Sequence, residues 1–403
     1  MYNVRKVVDD IWWTGAQDRR LELFENTYRV PAGMSYNNYV IMDNKTCLMD
    51  GIDAAVEHQF HDNLDHVLNG RPLDYMVVDH MEPDHCAAIP YLAEKFPDMK
   101  IVATQKAFRM MEQFYDFDVQ SRAVVVKEND TLSLGKHVLR FIMAPMVHWP
   151  EVMVTYDTTD HVLFAADAFG AYGAMHGSLF ADEVNWEKDW SDETRRYYTN
   201  IVGKYGPQTH ALLKKASRLD ISYICPLHGF VWRQDFNMLI DRYEKWSTYT
   251  PETYSVAIFY GSVYSGTENA ADILSVKLSE KGIRNVRVFD VSKTDLSEML
   301  SRAFEYSTWV FAAATYNLGV FDRMHFLLHD IKTHNLRNRC VGLIENGTWG
   351  PLAGSLMAKE LESLKNITIL EPRVTIHSAP KEDTLIELEK LADALVSAVN
   401  GCA

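Results

Sequence analysis

From residue 251 onward, short apolar runs alternate with longer helix-like stretches, and that alternation leaves few folds open. The runs are Val256 to Tyr260, Val286 to Phe289, Trp309 to Ala314, Val341 to Ile344 and Ile367 to Leu370. Between and after them lie Asn269 to Glu280, Leu296 to Phe304, Phe321 to Ile331, Ser355 to Leu364 and Leu385 to Val399. Strands each followed by a helix read as a doubly wound parallel sheet. The chain changes character at Thr250-Pro251-Glu252, after a charged and aromatic helix-like stretch from Asp241 to Trp246. A length of 403 residues, 47% hydrophobic and 12% aromatic, is ample for two packed cores. Two domains are therefore expected, 1–250 and 251–403.

Ligands of such a sheet bind at the carboxyl ends of its strands. The first strand is followed by Gly261-Ser262-Val263-Tyr264-Ser265-Gly266-Thr267-Glu268, a hydroxyl-rich loop that opens a helix. Hydroxyls, backbone N–H groups and the helix dipole together can hold a phosphate there. The loop is neither a Walker loop nor the G-x-G-x-x-G dinucleotide fingerprint. The third strand leads into Thr315-Tyr316-Asn317-Leu318-Gly319 and the fourth into Glu345-Asn346-Gly347-Thr348-Trp349-Gly350. Tyr316 and Trp349 can flank a flat ring, and the glycines beside them let the backbone approach its edge. The three loops together resemble the FMN site of flavodoxins, in the form found in the C-terminal half of flavodiiron proteins.

The first half concentrates a different chemistry. His80-Met81-Glu82-Pro83-Asp84-His85 directly follows the apolar segment Tyr75 to Val78, placing four metal-binding side chains in six residues at a strand end. His148, Asp167 and His228 each follow a further strand-like run: Phe141 to Ala144, Val162 to Ala166 and Ile221 to Cys225. Loops at strand ends converge because the sheet fixes their origins. A site for one or two cations is expected, with Asp167 the natural bridge. The isolated His58, His66, His137 and His161 read as surface or helix residues, and Cys86 as a small buried thiol.

The order H-x-E-x-D-H, then His, Asp and His, resembles the metallo-β-lactamase-like domain of flavodiiron proteins over about the first 250 residues. The hydrolases of that superfamily carry a second His where this chain has Glu82. A carboxylate hardens the site and suits iron better than zinc, which leaves a zinc-dependent hydrolase fused to a flavodoxin-like module as the alternative. Both halves resemble one architecture, a minimal two-domain flavodiiron protein. The resemblance implies an N-terminal metallo-β-lactamase-like αββα sandwich plus a C-terminal flavodoxin-like doubly wound parallel sheet. It implies a diiron site, with His80, Glu82 and His148 on one iron, Asp84, His85 and His228 on the other, and Asp167 bridging. The reaction it implies is reduction of O2 to water, of NO to N2O, or both, with electrons passing through FMN. Tyr172 and His176 are candidates for proton delivery. The chain has no cysteine pairs for an iron–sulfur or rubredoxin centre, so a separate donor is expected, rubredoxin first and a deazaflavin second. A head-to-tail homodimer, or a dimer of such dimers, would set the flavin of one subunit against the metals of the other.

The remaining composition narrows the setting. A formal net charge of -15 makes nucleic acid and anionic membranes poor partners. Five cysteines without C-x-x-C spacing argue against a disulfide framework, and no run of about 18 uncharged apolar residues appears. A cytoplasmic protein is expected.

Overall fold

The computed structural model describes residues 1–402, which separate into two compact units, Met1–Glu244 and the chain from Lys245 onward. The first unit is built on two mixed sheets. One runs, in spatial order, Arg5–Val8, Ile11–Trp13, Tyr39–Met42, Thr46–Met49, Tyr75–Val77, Lys100–Ala103 and Ala123–Val125. Its first four strands are antiparallel and the rest join in parallel. The other runs Thr131–Ser133, Val138–Met143, Met153–Asp157, Val162–Phe164 and Tyr223–Cys225, with only the last pair parallel.

The two sheets meet through side chains of both. The rings of Tyr39 and Phe164 lie 5.5 Å apart, and every residue of Met153–Asp157 is buried. Helices cover the outer face of the first sheet. In Glu57–Leu68 the buried residues Phe60, Leu64, Val67 and Leu68 recur at helical spacing, and Asn69 ends the helix in a left-handed conformation. Thr104 caps Gln105–Phe114 by accepting from Ala107 N at 3.2 Å.

The second unit is a parallel sheet in the order Arg287–Asp290, Thr253–Gly261, Tyr306–Tyr316, Arg339–Asn346, Ile367–Ile369. In order of occurrence that is 2-1-3-4-5, the flavodoxin-like winding. Val256, Ile258, Val310, Ala312 and Ile344 pack on one face against Leu274 of helix Gly266–Glu280 and against Leu388, Leu391 and Leu395 of the C-terminal helix. Phe259 stacks between Phe289 and Phe311 on the opposite face.

Two details depart from the pattern read in the sequence. The fifth strand does not run through Leu370; it stops at Ile369 and resumes as Val374–Ile376, both parts pairing with Arg339–Asn346. Pro372 lies in the gap, and proline has no N–H to give the ladder. The third strand also turns back on itself, Thr315 and Tyr316 pairing with Val320 and Gly319 through Asn317 and Leu318 at φ 49 and 60°.

Candidate metal centre and flavin loops

The short strand Tyr75–Val77 delivers His80 to the carboxyl end of the first sheet. Asp50, at the end of the neighbouring strand, accepts from Asp79 N at 2.8 Å and His80 N at 3.3 Å, which holds the turn. Glu82 precedes the one-turn helix Pro83–Cys86, whose proline needs no N–H partner at that position. The turn also packs closely on Gly51, where a Cβ would come 2.8 Å from His85 O. The helix turns Asp84 and His85 inward, both buried.

His148, Asp167 and His228 arrive from the second sheet. The Asp167 loop is pinned by Phe169 N donating to Tyr243 Oη at 2.6 Å and Leu227 N to Ala166 O at 2.9 Å. His228 Nδ1 donates to Ser35 O at 2.7 Å, which leaves Nε2 facing inward.

All seven residues are brought together, in two sets. His80, Glu82, His148 and Asp167 form one and Asp84, His85 and His228 the other. Asp167 joins them: its Oδ2 lies 3.2 Å from Nε2 of both His80 and His148, and its Oδ1 lies 3.2 Å from His85 Nε2 and 3.6 Å from His228 Nε2. Glu82 Oε2 is 3.2 Å from His80 Nε2 and 3.0 Å from His148 Nε2. On the other side, Asp84 Oδ1 is 3.4 Å from His85 Nε2 and Asp84 Oδ2 is 3.3 Å from His228 Nε2.

Donor atoms about 2.1 Å from a shared ion lie roughly 3.0–3.4 Å apart, so these separations are those of ligands around a metal. Both oxygens of Asp84, Asp167 Oδ1, His85 Nε2 and His228 Nε2 are buried without a hydrogen-bond partner. Buried polar atoms are rarely left so, and an ion would satisfy them. The residues therefore fit a pair of cations.

The electrostatics agree. Burial alone would lower the imidazole pKa values, but Asp84 and Asp167 outweigh it at His85, and Asp167 and Glu82 at His148, and each is pushed up to about 9. Burial would raise Asp167, yet His85 and His80 hold its carboxyl well below the usual range. The three carboxylates make a field that calls for positive charge, which two divalent ions supply. Rings close the site: Phe24, Tyr36 and Tyr197 stand 5.4–5.5 Å from His228, and Trp149 meets the edge of His80 at 5.3 Å. Glu82, Asp84 and His148 keep 10–12% side-chain exposure, against 2% or less for the other four, so solvent reaches the centre along that edge.

In the second unit the parallel strands bring the loops read as a flavin cradle to one edge. Thr267 is buried in the first turn of Gly266–Glu280, and Asn346 Nδ2 donates to its Oγ1 at 3.3 Å. Ser262 Oγ is buried with no hydrogen-bond partner, an orphan donor at the strand end. Tyr264, Trp349 and Tyr316 stand exposed around this edge at 95, 90 and 45%. Thr315 is differently employed: its Oγ1 accepts from Leu352 N and Ala353 N and so caps the helix Ala353–Leu361. A fourth loop joins the cradle, with Ser378 N donating to Asn346 Oδ1 at 3.0 Å and Ser378 Oγ to Thr348 Oγ1 at 3.0 Å. Gly266 packs against it so tightly that a Cβ would sit 2.0 Å from Ser378 O.

Residues 34–229 match a family model described as ODP family beta lactamase. Over 383 residues the chain is 30% identical to a nitric oxide reductase of Moorella thermoacetica, covering 94% of each. The chain belongs to the flavodiiron family. It is also 32% identical over 335 residues to an anaerobic nitric oxide reductase flavorubredoxin of Vibrio vulnificus, covering 81% of this chain and 66% of that one. Among solved structures it superposes on the rubredoxin oxygen:oxidoreductase of Desulfovibrio gigas with a TM-score of 0.93 at 26% identity, over 99% of both chains. A flavo di-iron protein of Thermotoga maritima gives 0.89 at 25%, over 98% of both. Flavodiiron proteins are oxidoreductases that carry FMN and a non-haem diiron site.

Not every residue singled out in this flavodiiron chain reaches the centre. His176 is exposed, its Nδ1 3.4 Å from Arg19 Nη1, and is not among the gathered residues. Tyr172 is buried one ring away, in edge contact with Tyr197 at 5.2 Å, and Tyr197 is the phenol that lies against His228. Cys86 is buried as expected, which pushes its thiol up to about 12. Glu151 was missed in the sequence: its buried Oε1 lies 2.8 Å from His80 Nδ1 and accepts from Met81 N at 3.0 Å. Its one signal is a carboxylate three residues after His148.

Proposed function

We propose that the chain reduces O2 to water, NO to N2O, or both, at iron ions held by His80, Glu82 and His148 on one side and Asp84, His85 and His228 on the other, bridged by Asp167. The observation that carries this reading is the split of Asp167, whose two oxygens face different donor sets. When bound, a diferrous pair supplies two electrons and reduced FMN two more, the four that O2 needs and twice what coupling two NO molecules takes.

The chain's own groups hold the geometry. Glu151 and the carbonyl of Ser35 fix the ring orientations of His80 and His228, so that both Nε2 atoms point inward. Phe24, Tyr36, Tyr197 and Trp149 exclude water, while the Glu82–His148 edge admits a small molecule. Burial raises the Tyr197 pKa well above its usual value, so its hydroxyl stays protonated and able to donate. In the second unit Ser262, Ser265, Thr267 and the helix N-terminus would hold the FMN phosphate, with Tyr316, Asn317 and Trp349 beside the ring. We take residues 1–250 as the diiron domain and 251–403 as the flavin domain. No helix among the described residues is long and apolar enough to cross a membrane. The reading places the protein in the cytoplasm, as a head-to-tail homodimer fed by a separate carrier, rubredoxin before a deazaflavin.

The test is steady-state turnover with each gas separately, with reduced rubredoxin as donor, alongside metal analysis. Two irons per chain are expected, and Asp167→Asn should lower iron content and abolish turnover. A full complement of zinc with no activity after iron reconstitution would refute the reading. For the dimer, an Asp167→Ala chain co-expressed with a Thr267 and Asn317 variant should regain activity in mixed dimers; inactive mixed dimers holding both cofactors would exclude the head-to-tail arrangement.

A further inference from the structure

His137, which reads in sequence as an ordinary surface or helix histidine, is completely buried. It lies where three turns of the first unit meet: the turn through Asp10, the turn at Lys136, and the turn that follows Met153–Asp157. Its Nδ1 donates to Asp157 Oδ2 at 3.0 Å, within a pair that is wholly buried. Asp157 is itself fixed, its carboxylate accepting from Asp160 N at 2.9 Å and Thr159 N at 3.3 Å.

That arrangement dictates what the other ring nitrogen offers. With Nδ1 carrying the proton toward Asp157, Nε2 presents a lone pair. It is buried without a hydrogen-bond partner, 3.6 Å from Asp10 Oδ2 and 3.9 Å from Asp160 Oδ2. A carboxylate that orients an imidazole whose far nitrogen faces further carboxylates is the arrangement found behind metal-bound histidines. Burial would lower the pKa of this ring, but the hydrogen bond and charge of Asp157 and the charge of Asp160 outweigh it and raise it. The field is therefore one that stabilises a cation, whether a proton on Nε2 or a metal ion that displaces it.

Lys136 meets part of that demand. Its Nζ lies 2.6 Å from Asp10 Oδ2 and 3.7 Å from Asp160 Oδ2, while half of its side chain is exposed. It can swing into solvent when a stronger cation arrives. Access exists beside it, in an open hollow of about 720 Å³ bounded by Lys136, Thr159, Asp160 and His161. Asp10 and Asp160 are partly exposed, so their side chains can close on Nε2 from 3.6 and 3.9 Å at little cost.

We propose that His137 Nε2, Asp10 and Asp160, with Asp157 fixing the ring, form a Zn²⁺ site separate from the diiron centre, for which Lys136 is the competing cation. One imidazole and two carboxylates leave the fourth tetrahedral position to water. An imidazole in the set favours zinc over magnesium or calcium.

The test uses the iron- and FMN-loaded protein, dialysed against zinc chloride, with zinc and iron measured on the same sample. Wild type should take up about one zinc per chain with its iron unchanged, and crystals should show a zinc-edge anomalous peak between His137 and Asp160. Asp10→Asn and Asp160→Asn should each weaken zinc binding by about tenfold or more, and Lys136→Met should strengthen it. Unchanged iron and FMN content shows that these variants are folded. No zinc-edge peak at that position under saturating zinc overturns the proposal and leaves Lys136 as the permanent counterion. Zinc uptake by both carboxylate variants equal to that of wild type overturns it as well.

Discussion

Glu151→Gln isolates what a buried carboxylate does for a histidine of the proposed metal centre. Glutamine has nearly the shape of glutamate, and its carbonyl oxygen can still accept from His80 Nδ1 and Met81 N, now 2.8 and 3.0 Å from Glu151 Oε1. At His80 the ring therefore stays in place while the partner's charge is lost. A hydrogen bond to a charged partner contributes about 1.5–3 kcal/mol, against about 0.5–1.5 for a neutral one. The difference, about 1–1.5 kcal/mol, corresponds to roughly tenfold in an equilibrium constant. Measured losses for such partners of metal-bound histidines run to about 10–100-fold. The second effect is on stability. Glu151 Oε2 is buried where no donor reaches it, so the glutamine N–H₂ placed there costs about 1–3 kcal/mol unless it meets an acceptor. The assay is iron retained per chain against a graded chelator, with urea unfolding of the same preparations. Loss should be biphasic: the ion on the His80 side should leave at roughly 10–100-fold lower chelator, and the ion held by Asp84, His85 and His228 close to the wild-type value. If Glu151→Gln holds both ions as wild type does, the carboxylate does not tune His80 and the argument fails.

Two further predictions test other parts of the chain. Thr267→Ala removes a buried hydroxyl at a helix start that Asn346 Nδ2 reaches at 3.3 Å; FMN retention on gel filtration should fall while iron content stays at the wild-type level, and unchanged FMN affinity would refute a phosphate contact there. Glu183 makes a two-point pair with Arg5 at 2.7 and 2.8 Å, and that pair with the N–H groups of Phe180 and Leu179 depresses its carboxyl to about 2. Because the folded pKa lies below the unfolded value of about 4.3, the stabilisation is complete above that value and is lost as pH falls toward 2. Glu183→Gln should therefore cost about 1 kcal/mol in urea unfolding at pH 7 and progressively less from pH 4 to 3, and a gap independent of pH would show that the charge is not the cause.

What could be read from the chain alone was whatever is local. His80, Glu82, Asp84 and His85 stand within six residues after one apolar run, so their convergence needs only a strand end. His148, Asp167 and His228 were legible for the same reason, each following a run that forms a strand. The winding of the second unit followed from the alternation of its periods; the strand divided around Pro372 and the third strand's turn back through Asn317 and Leu318 departed from the pattern. Residues whose role depends on what another loop brings beside them were not legible. Apart from standing three residues after His148, Glu151 gives no sign of its 2.8 Å contact with His80, 71 positions earlier. Thr315 lies in a loop read as a flavin contact, yet it caps a helix that begins 38 residues later. Ser378 came beside Asn346, in the loops proposed to hold the flavin, only because the divided strand returns to the sheet. His137 looks like any surface histidine until three turns close over it. Periodicity and strand ends are encoded within a few residues, whereas burial and the partner of a polar atom are set by which distant segments the sheets hold side by side.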